Sequence, residues 1–286
     1  VCRVDGVPGD CVDVSDCGAG HHSVAGYCPG PAHIQCCIPD DDPPERPEVN
    51  DPNANNPGVC DPDTIRRRAP PQPSGDGREG GCPTHMVAME NVCIDRYEAV
   101  LEDDDGLWSP FHNPGDRPLR AAVYPGVIPQ GYISGQQAAA ACERAGKRLC
   151  TNREWLRACQ GPDGLTYPYG NDRVVGQCND HRDVHPAVEL FPNAANPFIH
   201  IQNACINQLP MSIATTGAYG DCQSADGIFD MMGNLHEWTA DPSGTFRGGY
   251  YVDTIRNGPG CLYRTTAHGR QHWDYSTGFR CCADLE

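Results

Sequence analysis

Asp226-Gly-Ile-Phe-Asp-Met-Met-Gly-Asn-Leu-His-Glu-Trp238 is followed by Phe246-Arg-Gly-Gly249 and then by Gly278-Phe-Arg-Cys-Cys282. The first block sets the acids Asp230 and Glu237 on either side of Gly233, and a glycine there permits a bend that other residues resist. Upstream stand Ala145-Gly-Lys-Arg-Leu-Cys150 and Thr151-Asn-Arg-Glu-Trp155, each beside a helix signal. Ser134 with Gln137 three positions on predicts a helix start; the helix carries Ala138 to Ala145, and Gly146 supplies a left-handed stop. Thr151 with Glu154 predicts a second helix with Trp155, Ala158 and Cys159 on one face. Alternation over Met86-Val-Ala-Met-Glu-Asn-Val-Cys-Ile-Asp95 predicts strand. The remainder, rich in Gly, Pro and Asn, reads as long ordered loops, which need pins such as disulfides or bound ions.

These blocks, in this order, resemble the formylglycine-generating enzyme (sulfatase-modifying factor) family over roughly residues 82 to 286, with Tyr97-Glu98 where that family has its entry strand. The resemblance implies an α+β fold with little regular secondary structure, C-type-lectin-like, with calcium ions holding its loops and a copper site made by two cysteines. In family members that oxidise a substrate cysteine, the segment after Arg-Gly-Gly reads Gly-Gly-Ser-Tyr-Met-Cys, with a second cysteine five positions on. Here it reads Gly248-Gly-Tyr-Tyr-Val-Asp253, and the nearest thiol, Cys261, lies beyond Arg256-Asn-Gly-Pro-Gly260. Copper(I) prefers soft thiolates and a carboxylate is a hard ligand, so Asp253 is expected to abolish a two-thiolate site. The fold is expected; the oxidation is not.

Carried over by position, the resemblance implies a calcium site made by Asp230, the carbonyls of Gly233 and Leu235, and the carboxylate of Glu237. Calcium takes six to eight oxygen ligands, and Asp230 adds charge where the family has Asn. A second site would begin at Asn179, after Tyr167-Pro-Tyr-Gly170. Cys261 has two readings. It is either a redox thiol, catalytic or copper-ligating together with Asp253, or half of a structural disulfide. The resemblance pairs Cys142 with Cys281 and makes Cys261 the candidate partner of Cys159. Parity favours a bridge, because linker and body together hold twelve cysteines. His268, His272 and Asp274 form His-x-x-x-His-x-Asp, which on a helix would suit a transition metal such as iron. Gly269 opposes a helix, so loop histidines lining the groove are the plainer reading. His236 stands where relatives have Trp, a changed packing contact. No serine-histidine-acid triad or phosphate loop is apparent.

Composition bounds the setting. Eighteen cysteines in 286 residues predict an oxidising compartment, so a secreted, periplasmic or cell-surface protein is expected. Residue 1 is Val and no apolar run is long enough to cross a bilayer, so a mature chain without a membrane span is expected. A formal charge of −17 argues against nucleic acid as partner. Residues 1–38 read as a cysteine-rich module stapled by three disulfides among Cys2, Cys11, Cys17, Cys28, Cys36 and Cys37. Residues 39–81 read as a Pro/Asp-rich linker in which Cys60 ties a strap to a domain and Arg66-Arg67-Arg68 offers a protease site or a solvated run. Residues 82–286 form the main domain.

Three functions fit these readings. One is a noncatalytic calcium-stabilised scaffold that binds an extracellular protein, peptide or glycan. The second is a copper- or iron-dependent oxidase acting on a protein or peptide, and the third a self-assembling surface component.

Overall fold

The computed structural model describes residues 2–4, 7–18, 21–24, 28, 34–39, 60–71 and 81–285. Most of the expected linker lies outside these residues, apart from its two ends and 60–71. The chain divides into two compact units, Val1–Arg46 and Pro47–Glu286.

In the first unit, β1 (Cys2–Val4), β2 (Val7–Asp13), β3 (His21–Val24) and β4 (Ile34–Pro39) make one antiparallel sheet in the order β1-β2-β4-β3. Among the described residues its buried apolar cluster holds Cys2, Cys36 and Ile38. Disulfides Cys2–Cys36, Cys11–Cys28 and Cys17–Cys37 supply the constraint that so small a core cannot.

The second unit starts with the hairpin β5 (Met86–Met89) and β6 (Val92–Asp95), closed by Cys82–Cys93. A second antiparallel group follows: β7 (Val100–Asp103), β8 (Gly106–Leu107) and β9 (Arg120–Ala122), with β7 central. Helix α1 spans Gly135–Arg144, and both halves of its capping box are made. Ser134 Oγ accepts from Gln137 N at 3.2 Å, and Gln137 Oε1 accepts from Ser134 N at 2.9 Å. The short β10 (Arg148–Leu149) leads to α2 (Asn152–Gln160), where Thr151 and Glu154 repeat the box. Gly146 and Gly161 follow the two helices with φ of 71° and 64°, conformations a Cβ would strain.

Between α2 and residue 235 the chain has only α3 (Pro186–Leu190) and two 3-10 turns. Disulfides Cys178–Cys222 and Cys60–Cys205 pin this stretch.

The blocks that opened the sequence reading then become neighbours in one sheet. β11 (His236–Trp238) pairs antiparallel with β12 (Phe246–Arg247) and parallel with β14 (Thr277–Phe279), and β13 (Arg264–Thr265) closes the far edge. Glu237 faces Arg247 on one side and Gly278 on the other. Strand alternation separates His236 and Trp238 from Glu237. Trp238 joins the core that α1 lines with Ala138, Ala141 and Cys142, and its Nε1 donates to Ile133 O at 2.9 Å. Finally β15 (Cys281–Asp284) pairs with β6 and β10. The unit is thus an α+β body of small sheets and long loops.

Candidate functional site

Three left-handed residues shape the loop before β11: Asp230 (φ 59°), Gly233 (φ 78°) and Asn234 (φ 53°). At Gly233 a Cβ would lie 2.2 Å from Asn179 O, so only glycine allows this approach. Asn234 N donates to Asn179 O at 2.8 Å, and Asn179 Nδ2 donates to Asn234 Oδ1 at 3.0 Å and Ser212 O at 2.8 Å. Asn179 is therefore a buried amide that ties the loop to its neighbour. Asn234 continues the network by donating to Glu98 Oε2 at 2.5 Å, while Leu235 N donates to Glu98 Oε1 at 3.1 Å.

Three carboxyl groups meet here out of water. Glu98, Asp230 and Glu237 are 0%, 5% and 1% exposed. Arg280, fully buried, donates to both oxygens of Glu237 at 2.6 Å and to the carbonyls of Asp95 and Phe229 at 2.9 Å. Trp155 Nε1 adds a third bond to Glu237 at 2.7 Å. Asp230 Oδ2 accepts from Gly217 N at 2.7 Å. Burial pushes the Asp230 carboxyl up to about 7 against the pull of Gly217 N–H and Arg280, with Glu237 adding repulsion. Glu98 is raised well above the carboxylate range, first by burial and then by the charges of Asp230 and Glu237. One guanidinium thus lies among three acids but, of these, is bonded to Glu237 alone, and burial shifts Asp230 and Glu98 toward their neutral, protonated forms.

The oxygen donors that the resemblance implies for a metal are the carboxylates of Asp230 and Glu237 and the carbonyls of Gly233 and Leu235, of which Glu237 already has both oxygens engaged by Arg280 and Trp155. Among the described residues no three carboxylate or imidazole donors of this region lie within 4.8 Å of one another, so an ion here would depend on the backbone carbonyls.

The opposite face of β11 is packed with rings. His236 lies 4.6 Å from Phe246, 4.8 Å from Tyr250 and 5.4 Å from Tyr263 between ring centres, and burial lowers its pKa to about 4. Its Nδ1 is buried without a partner. His268 and His272 stack at 3.9 Å in a loop, and His272 Nε2 lies 2.8 Å from Asp274 Oδ2. His268, His272 and Asp274 do not bring three donor atoms within 4.8 Å of one another.

At the position that decides copper chemistry, Asp253 is 8% exposed and its oxygens are engaged. Oδ1 accepts from Ile255 N and Arg256 N, and Oδ2 accepts from Tyr263 OH, all at 3.1 Å. Burial, then the charge of Asp253, raises the Tyr263 phenol. Cys261 is bridged to Cys159, and Cys142 to Cys281, the pairings that the resemblance implied. Cys150–Cys282 completes nine disulfides that use all eighteen cysteines, leaving no free thiol.

Sequence reasoning had not placed Glu98, Asn234, Arg280 or Trp155 in the site. Glu98 carried a legible signal, an acid inside the apolar run Tyr97-Glu-Ala-Val-Leu101, where an unpaired carboxylate would be costly. Asn234 and Trp155 carried none, because their partners are remote in the chain.

A family model, the sulfatase-modifying factor enzyme 1-like domain, matches residues 83–285. A curated mouse protein, inactive C-alpha-formylglycine-generating enzyme 2, is 28% identical over 167 residues, covering 54% of this chain and 49% of its own length. The mouse formylglycine-generating enzyme is 26% identical over 185 residues, covering 54% and 43% respectively. The chain therefore spans about half the length of the curated relatives it matches. The solved structure of PvdO from Pseudomonas aeruginosa aligns at 13% identity and a TM-score of 0.43, covering 78% of this chain and 92% of PvdO. With its signature strands gathered in one sheet and the family model running through nearly the whole second unit, the chain belongs to the sulfatase-modifying factor enzyme 1-like family.

Proposed function

We propose that this protein is a noncatalytic, calcium-stabilised member of its family that works in an oxidising extracellular or surface setting and binds a protein, peptide or glycan. The observation that carries the first part is the state of residues 253 and 261. Asp253 is held by two backbone amides and a tyrosine hydroxyl, and the sulfur of Cys261 is bonded to Cys159. Neither offers the thiolate that copper(I) or a thiol-dependent oxidation needs. One of the relatives is itself named inactive.

Calcium is supported by the chemistry of the loop. Asp230 and Glu237 with the carbonyls of Gly233 and Leu235 are hard oxygen donors, and a divalent cation would draw the buried Asp230 carboxyl, raised to about 7 without it, into its charged form. When bound, the ion supplies no chemistry beyond charge and cross-linking. An oxidising setting is supported by nine disulfides, and no helix among the described residues is long and apolar enough to cross a membrane.

Thiol titration and copper(I) binding on the native chain test the catalytic part. No reactive thiol and no tight copper(I) site are expected; one or two reactive thiols that bind copper(I) would restore the oxidase reading. Glycan and peptide arrays test the binding part, and a blank result on both, with concentration-dependent self-association, would replace ligand binding by assembly.

A further inference from the structure

Residues 60–71 cross the second unit as a strap held at several points. Cys60 is bonded to Cys205. His112 Nε2 lies 3.0 Å from Pro62 O, and its Nδ1 lies 2.7 Å from Ser109 Oγ, which fixes Nε2 as the donor because a carbonyl can only accept. Arg67 forks onto Asp103, donates to Gly106 O at 2.7 Å and sits 5.7 Å over the Trp108 ring. Arg68 then pairs with the edge strand β8 through its backbone: Leu107 N donates to Arg68 O at 2.8 Å and Arg68 N to Leu107 O at 3.3 Å. The strap comes so close that a Cβ at Gly106 would lie 2.6 Å from Arg68 O.

Behind it is a pocket of about 190 Å³. The strap gives one wall with Arg68, Ala69 and Pro71, and the body gives the rest, chiefly Val100, Leu107, Trp108, Pro110, Val127 and Ile128. No wall comes from the Asp230–Glu237 loop, from Asp253 or from the histidine loop. The amide group of Gln130, also in the wall, is committed, its N–H groups donating to the carbonyls of Ser109, His112 and Gly131. Arg68 is the one charged residue among the lining residues. It is exposed, and no ion pair to its guanidinium occurs among the described residues, whereas its neighbour Arg67 is occupied by Asp103.

We propose that this pocket is a binding site for a small monocarboxylic acid with a flat apolar body, the body between Pro71, Trp108 and Ile128 and the carboxylate at Arg68. Size supports the first half, since an apolar cavity of roughly 150 Å³ accepts benzene. Charge supports the second: Arg68 is the one charged residue among the lining residues, and a guanidinium presents a fork that matches a carboxylate. The site stands apart from the calcium and scaffold reading, so either can fail alone.

Benzoate and its neutral counterpart benzamide are the probes, titrated calorimetrically into the full chain. Benzoate is expected to bind about tenfold more tightly than benzamide, the discrimination a charge-assisted pair provides. Arg68→Gln is expected to remove that preference while leaving benzamide binding unchanged, because the pairing with Leu107 uses only main-chain atoms. Val127→Trp, which fills the pocket from its partly exposed side, is expected to abolish both. The proposal is overturned if neither probe binds at about 10 mM, if R68Q keeps the preference for benzoate, or if V127W, still folded by its melting transition, binds both probes as before.

Discussion

Arg280 neutralises Glu237 from a position with no water to help it. Arg280→Met keeps the volume but leaves a buried carboxylate without its guanidinium, and is expected to cost about 3–5 kcal/mol in denaturant unfolding. Gly233→Ala meets both a carbonyl at 2.2 Å and an unfavourable φ of 78°; a loss of about 2 kcal/mol or more is expected by the same measurement. His185 gives one part of the pH dependence, alongside the more deeply buried His236, whose lowered pKa acts in the same direction. The Nδ1 of His185 accepts from Ala187 N at 3.2 Å and its Nε2 lies 2.7 Å from the Tyr275 hydroxyl, so the folded state holds the neutral ring. Burial, helped by Arg182, lowers its pKa below 6.5. Just below that value the unfolded chain binds more protons than the folded one, so this contribution is complete above it and is lost as pH falls. His185→Gln is expected to flatten the decline of melting temperature between about pH 7 and 5; an unchanged slope would remove His185 as one of its sources.

Elements divide sharply in how far their sequences announce them. α1 and α2 were legible to within a residue or two because their capping boxes, their apolar faces and Gly146 are all local. The strands of the signature sheet were legible as motifs but not as a sheet, because parallel pairing of His236 with Thr277 spans a long loop and leaves no mark in either segment. α3 escaped notice: five residues starting with Pro186 show no helical period. Asn179, where the resemblance implies the start of a second ion site, has its amide nitrogen committed to Asn234 and Ser212, partners remote in the chain. The strap is the element most open to perturbation. Arg67→Ala removes its fork to Asp103, a partly exposed pair whose loss should change global stability by about 1 kcal/mol or less. Amide exchange at Arg68 and Leu107 is nevertheless expected to quicken well beyond that at β5 and β6, as local opening predicts.

For the molecule as a whole, bound calcium should act by mass action. Strong chelation is expected to lower the melting temperature of the native chain, and Glu237→Gln to make it insensitive to added calcium. An unchanged transition in both tests would sink the ion-stabilised reading and leave disulfides as the main clamp. Those bridges are themselves substantial: removing Cys159 and Cys261 together is expected to cost about 2–5 kcal/mol.

The bridges also dictate how the chain can be made. Cys142 waits for a partner 139 residues later, Cys150 for one 132 later and Cys159 for one 102 later. During synthesis three neighbouring thiols, on or beside α1 and α2, are therefore exposed to oxidant long before their correct mates emerge. Cys142, Cys150 and Cys159 can meanwhile combine only wrongly. Any wrong pairing formed in that interval has to be undone by thiol–disulfide exchange, which ties the yield of this protein to disulfide-shuffling catalysts in the compartment where it folds.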